Sequence, residues 1–252
     1  MKIAICISGQ PRNYEKGYQE LKKWFLDRYD CDVYIHTWED TNHTFTSSHN
    51  YTKTNHYTFT KKDYSKILEL YQPKNYIFQK PIPFDYNQII GDLGFGINGI
   101  LSSFYSIQQS FNLAKDSGIQ YDLVVRYRFD LQFTDYVSPE CLFLQDLTQV
   151  DPNQFNCFSF ATGDRGQLRP TEIDDLFNVG SMDIMEIHSQ IFSYILYYTY
   201  INPGYVEWLV KFTGNPDPYA HETYIVYHLL TNNVPINYID SLGKHFTAGI
   251  IR

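Results

Sequence analysis

Two arginines and an aspartate alternate along one otherwise apolar stretch, Tyr121–Phe133 (YDLVVRYRFDLQF). In an extended strand, successive side chains point to opposite faces. Leu123, Val125, Tyr127, Phe129, Leu131 and Phe133 therefore share an apolar face, and Val124, Arg126, Arg128, Asp130 and Gln132 share the other. Charged neighbours on that second face stand about 7 Å apart. Burying such groups is costly unless they pair or meet a ligand. Two readings are open. One is a structural Arg–Asp ion-pair ladder. The other is an anion site at the carboxyl end of a parallel strand, where open α/β sheets place ligands. Arginine suits a diphosphate because its planar fork donates in pairs. A nearby carboxylate can hold a divalent cation that neutralises the same group.

The elements that position this stretch read as a β-turn-α-β chain. Lys2–Ser8 is a nearly continuous apolar run, as expected of a strand buried on both faces. Gly9-Gln10-Pro11 breaks it, a helix is expected over Tyr14–Tyr29, and Asp32–Thr37 reads as the second strand. Such an opening predicts a parallel sheet with crossover helices. Glu39–Thr60 has no apolar period and reads as a long loop, a candidate lid. A helix (Lys62–Tyr71), a strand (Asn75–Gln79) and an irregular stretch (Pro81–Gly99) follow. A helix over Ile100–Asp116, stopped at Gly118, then delivers the chain to the Arg–Asp strand. Beyond it, Phe155–Ala161 and Val234–Ile239 read as strands, and Met182–Tyr200 and Ala220–Thr231 as helices. Gly163–Pro170 reads as a polar loop and Asn202-Pro203-Gly204 as a break. The expected fold is α/β: a mostly parallel central sheet flanked by helices, in a single domain.

Composition narrows the function classes. Hydrophobic residues at 43% and charged residues at 19% are enough for a sizeable core and too little charge for disorder. The 23 tyrosines can complete a core or line a sugar or nucleotide site. A net charge of -8 with no basic tract argues against nucleic-acid binding, although one local anion site remains compatible. Cysteines at positions 6, 31, 141 and 157 form no CxxC pair, so buried free thiols and a reducing, cytoplasmic setting are expected (the host cytoplasm for a viral chain). The apolar run of MKIAICISGQ is too short for a signal peptide, and no window reaches membrane-spanning length. Two sequons, at Asn42 and Asn50, therefore read as chance matches.

The spaced motifs ISGQPR (Ile7–Arg12), DVYIHTW (Asp32–Trp38), YDLVVRYRFDLQF and FNVGSMDIM (Phe177–Met185) resemble a group of GT-A-type glycosyltransferases of bacterial and viral surface-glycan loci. The resemblance spans roughly residues 2–240 and implies a GT-A-like, Rossmann-like domain. Residues 1–135 would then bind a nucleotide-sugar donor, and residues 136–252 a glycan or glycoconjugate acceptor. Most such enzymes hold Mn²⁺ or Mg²⁺ through a DxD motif after a central strand. Here Arg128-Phe129-Asp130 stands in that place and keeps only the final aspartate. One carboxylate is a thin contribution to a six-coordinate ion.

By the same resemblance, Ser8, Gly9, Gln10 and Arg12 supply donor contacts ahead of a helix N-terminus, which favours anions. His36, Thr37 and Trp38 end strand two on the same edge, with Trp38 read either as a stacking platform or as core. Gln109, Arg126 and Arg128 complete the donor set. Asp130 is the metal or sugar ligand, and His245 is a second metal ligand by analogy. An inverting transferase needs a carboxylate to accept the acceptor's hydroxyl proton. Asp175 and Glu222 are the candidates, each also explicable as an acid near a helix start. The alternative function is a non-catalytic glycan- or nucleotide-binding protein on the same fold.

Overall fold

The computed structural model describes residues 1–41, 44–49, 53–84, 97–133, 146–159, 173–213, 221–238 and 248–250. Strand β1 (Lys2–Ser8) leads to helix α1 (Tyr14–Leu21), which runs on as a wider π-type turn (Lys22–Leu26) into β2 (Asp30–Trp38). The hairpin β3 (Thr44–His49) and β4 (Lys53–Thr58) precedes α2 (Lys61–Tyr71) and β5 (Asn75–Gln79). Helix α3 (Ile97–Asp116) is followed by β6 (Leu123–Tyr127) and β7 (Leu131–Phe133). The remainder comprises β8 (Phe155–Ser159), β9 (Ile173–Gly180), α4 (Met182–Ser189), α5 (Ile191–Tyr200), α6 (Pro203–Thr213), α7 (His221–Thr231), β10 (Ile236–Tyr238) and β11 (Ala248–Ile250).

Seven strands form one sheet in the order β10-β8-β9-β6-β1-β2-β5. The pairs β1–β2, β1–β6, β2–β5 and β8–β10 are parallel, and β9 runs against both β6 and β8. This is the mostly parallel α/β sheet expected from the opening β-turn-α-β pattern. Helices cover both faces. Ile107 and Phe111 of α3 and Met185 of α4 pack beside Cys6, Val124 and Arg126. On the opposite face Phe25 of the π-type turn meets Tyr127 and Phe177. Residues Ile3–Ile7 of β1 are buried, because a parallel central strand has no wet side. Cys6 and Cys157 are buried free thiols and Cys31 is half-buried, whereas Cys141 lies outside the described residues.

Several boundaries differ from the sequence reading. The strand expected over Tyr121–Phe133 ends at Tyr127; residues 128–130 turn, and β7 leaves to pair with β11 in a separate two-stranded sheet. The expected Glu39–Thr60 loop contains the β3–β4 hairpin, whose Thr-rich strands carry β-propensity without apolar alternation. Thr60 and Asp63 then form a reciprocal capping box that starts α2. The helix expected over Met182–Tyr200 is two helices parted at Gln190, and the break expected at Asn202-Pro203-Gly204 separates α5 from α6, with Pro203 opening α6. Proline suits a first helical turn because its missing N–H has no partner there. Strand β9 has no counterpart in the sequence reading, because Ile173–Gly180 includes two aspartates and an asparagine and shows no clean alternation. Helix Tyr14–Tyr29 is shorter than expected, since Asp30 already begins β2. The polar loop expected over Gly163–Pro170 lies outside the described residues.

Candidate anion-binding and catalytic site

The strand order reverses at β1: β2 and β5 lie on one side of it, β6 on the other. The carboxyl ends of β1 and β6 thus flank a topological switch point, where open α/β sheets form a ligand crevice. The segments leaving these two strands, Ser8–Arg12 and Arg128–Asp130, carry the charged cluster.

The β1 exit is fixed by hydrogen bonds from two elements, α3 and β2. Gly9 adopts a φ of 104°, a conformation open to glycine. Its N–H donates to Ser106 Oγ at 2.9 Å, and Thr37 Oγ1 donates to its carbonyl at 2.7 Å. Ser106 Oγ also lies 2.8 Å from His36 Nδ1, and His36 Nε2 lies 3.3 Å from Gln79 Oε1. Trp38 stacks on Tyr105 with ring centroids 5.6 Å apart. His36, Thr37 and Trp38 are all buried, so the structure places these donor candidates in the wall that holds the β1 exit. Ser8 Oγ and Arg12 Nε are buried without a hydrogen-bond partner among the described residues.

The β6 exit is fixed by close packing. A Cβ on Gly17 of α1 would stand 1.6 Å from the Phe129 carbonyl oxygen, so only glycine lets the helix lie on this turn. The turn presents Asp130, whose side chain is 1% exposed, to two guanidinium groups. Arg12 Nη2 approaches Asp130 Oδ2 at 2.8 Å, while Arg128 Nε and Nη2 donate to Oδ1 and Oδ2 at 2.9 and 3.1 Å. The Arg12 guanidinium also lies 5.8 Å from the ring centre of Tyr57 on β4.

Asp175 of β9 completes the cluster, 4.0 Å from Arg128 Nη1. Burial pushes its carboxyl pKa up, but His221, Arg128 and Arg126 together outweigh burial and hold it below the usual value. His221 opens α7 and packs on Phe104 of α3 at 5.5 Å. Burial lowers its pKa against the opposing pull of Asp175, with Arg128 and Arg126 adding to the depression. Arg126 is 3% exposed and donates from Nη1 to the Leu176 carbonyl at 2.5 Å. Among the described residues, Arg12 and Arg128 thus pair with Asp130, and Arg128 and Arg126 act on Asp175, so three guanidinium groups stand against two carboxylates.

Arg12, Arg128, Asp130 and Asp175 are thus brought together. Gln10 is half-buried beside Arg12, whose backbone N–H bonds the Gln10 carbonyl; Gln109 is half-buried on α3; Glu222 lies in the first turn of α7 beside His221. His245 lies outside the described residues. The described residues do not fit a cation site. Both Asp130 oxygens already accept guanidinium bonds, and no group of three metal-ligating side chains occurs among the described residues. Ser106, Tyr57 and Gly17 carry no signal in the sequence, whereas His221 stands beside the candidate Glu222.

The buried histidines make stability pH-dependent. Burial lowers His36 and His228 to about 4 and His188 to about 3, from 6.5. A depressed histidine binds its proton more readily when unfolded, so stability present above pH 6.5 falls as pH drops towards 4. Urea melts at neutral pH and at a pH near the depressed values check this; His36→Gln should flatten the dependence relative to wild type.

Neither a protein-family model nor a curated protein sequence matches the chain. Solved structures resemble it at low similarity, among them the following three. A glycosyltransferase involved in glycosylation of the major capsid of PBCV-1 is 11% identical at a TM-score of 0.40, over 81% of this chain and 78% of that one. Mouse xyloside xylosyltransferase 1 is 9% identical at 0.46, over 94% and 85%. A protein assigned as a glucose-1-phosphate thymidylyltransferase of Bacillus anthracis is 14% identical at 0.35, over 94% and 87%.

Proposed function

We propose that the chain is a glycosyltransferase that moves a sugar from a nucleotide-sugar donor to a hydroxyl of a glycan or glycoconjugate. The observation that carries the reading is the convergence of Arg12 and Arg128 at the switch point between β1 and β6. Ser8 Oγ and Arg12 Nε, buried without a hydrogen-bond partner among the described residues, favour a polar ligand at the same exit. The resemblance of the ISGQPR, DVYIHTW and RYRFD motifs supplies the sugar.

In this reading, the donor diphosphate lies against Arg12 and Arg128, and Asp130 holds the two guanidinium groups at a fixed spacing. Charge develops on the leaving diphosphate as the glycosidic bond to it breaks, and preorganised donors aimed at that charge lower the barrier. Asp175, ionised at neutral pH, serves as the acceptor's base. It stands at Arg128 Nη1, the corner of the guanidinium that Asp130 leaves.

Donor turnover tests the reading. Wild-type protein is incubated with a panel of nucleotide sugars, with and without Mn²⁺, and release of nucleoside diphosphate is followed. Arg128→Ala should reduce release by on the order of 10²-fold or more. Full activity in that variant would remove Arg128 from the site.

Non-catalytic glycan or nucleotide binding is the second reading, favoured by the complete engagement of Asp130 with arginine. Ligand binding without turnover of any donor would select it.

A further inference from the structure

Strand alternation presents Arg126 as a ligand contact beside Arg128, but its place in the fold is different. It lies in the middle of the sheet, in register with Cys6 of β1 and Asn178 of β9, and is 3% exposed. It lines a small cavity with Ser110 of α3 and His188 of α4.

Asp175 sits on β9 where the register is irregular. Strand β9 pairs with β8 at Val179–Asn156, Asn178–Cys157 and Ile173–Ser159, and the register shifts between the last two. Its described pairing with β6 runs from Asn178 to Gly180. The Arg126 Nη1 bond to the Leu176 carbonyl at 2.5 Å ties β6 to β9 just beyond those pairs, one residue from Asp175.

We propose that Arg126 is a positioning residue: by holding the Leu176 carbonyl it fixes Asp175 as the base that takes the acceptor's hydroxyl proton. The inference rests on the glycosyl-transfer reading. In the step it serves, the acceptor oxygen forms a bond to the donor sugar's anomeric carbon as the bond from that carbon to the diphosphate breaks. The bonding pair leaves with the nucleoside diphosphate, and the acceptor proton passes to the Asp175 carboxylate. The groups facing Asp175 are His221 from α7, Arg128 from the β6 exit and Arg126 from β6, with Arg12 and His188 in wider electrostatic reach. Arg126 thus acts on Asp175 twice, through the backbone and through its charge.

Arg126→Met and Arg126→Lys test this, each first shown by circular dichroism to be folded. Arg126→Met should lower kcat by on the order of 10²-fold, the loss expected for a group misplaced by about 1 Å. The donor KM should stay near its wild-type value. The acid limb of the kcat profile should move to higher pH, because a cation that favours the Asp175 carboxylate is gone. Arg126→Lys, which keeps the charge, should leave that limb near its wild-type position. A raised donor KM with unchanged kcat would overturn the inference, as would a lower kcat with the limb unmoved in Arg126→Met. Carboxyl-carbon NMR follows Asp175 titration without donor; a titration unchanged in Arg126→Met overturns the inference by itself. A wild-type protein that turns over no donor counts instead against the glycosyl-transfer reading.

Discussion

Asp130→Ala is expected to lower the melting temperature by roughly 15 °C and to abolish donor turnover. The carboxylate is 1% exposed and is shared by Arg12 and Arg128. Removing one partner of a buried ion pair leaves uncompensated charge and typically costs about 3–5 kcal/mol. For a domain of this size each kcal/mol shifts the melting temperature by about 2–4 °C. Here two like charges are left facing each other, which places the loss toward the upper end. The missing carboxylate gives a second readout. Phosphate or pyrophosphate should stabilise Asp130→Ala more than wild type, because an anion can take the carboxylate's place between the guanidinium groups. Thermal melts with increasing pyrophosphate check both parts. An unchanged melting temperature would show that Asp130 is not the hub of the cluster.

The second large effect is expected at Gly17, far from Asp130 in sequence. A methyl carbon on Gly17 would stand 1.6 Å from the Phe129 carbonyl oxygen, so Gly17→Ala forces either α1 or the turn to move. Overpacking costs about 1–3 kcal/mol and occasionally more, and backbone on the far side makes relief difficult here. Alanine is the better intrinsic helix former by about 1 kcal/mol, so a loss of stability would be contrary to propensity and specific to this contact. Because the displaced turn carries Arg128 and Asp130, donor affinity should fall together with stability. Denaturant melts and donor titration of Gly17→Ala measure the two effects; a stabilised protein with unaltered affinity would contradict the packing.

Parts of this site could be read from the residues. Period-two alternation picked out Arg128 and Asp130, and the breaker Gly9-Gln10-Pro11 marked the β1 exit ahead of Arg12. The opening β-turn-α-β pattern carried the parallel half of the sheet. Alternation failed after Tyr127, where the strand ends, because a turn continues the apolar pattern of Phe129, Leu131 and Phe133 with a different geometry. That failure is why Arg126 read as equivalent to Arg128. One is bonded to the backbone of β9 and the other to Asp130, a distinction that depends on strand β9, whose polar residues masked it. His36, Thr37 and Trp38 were located on the correct strand end, but their burial against Ser106, Gly9 and Tyr105 depends on how α3 crosses the sheet. Gly17 could not be found from local sequence, since its partner is 112 positions away.

If Arg12 and Arg128 form a diphosphate site, they should bind one in the absence of any turnover. Calorimetric titration of wild type, Arg12→Ala and Arg128→Ala with a panel of nucleoside diphosphates measures this. At least one nucleoside diphosphate should bind wild type, with affinity falling by roughly tenfold or more in each variant, as expected for loss of a charge-assisted bond worth about 1.5–3 kcal/mol. Binding equally tight in all three proteins, or in none, would contradict the diphosphate site.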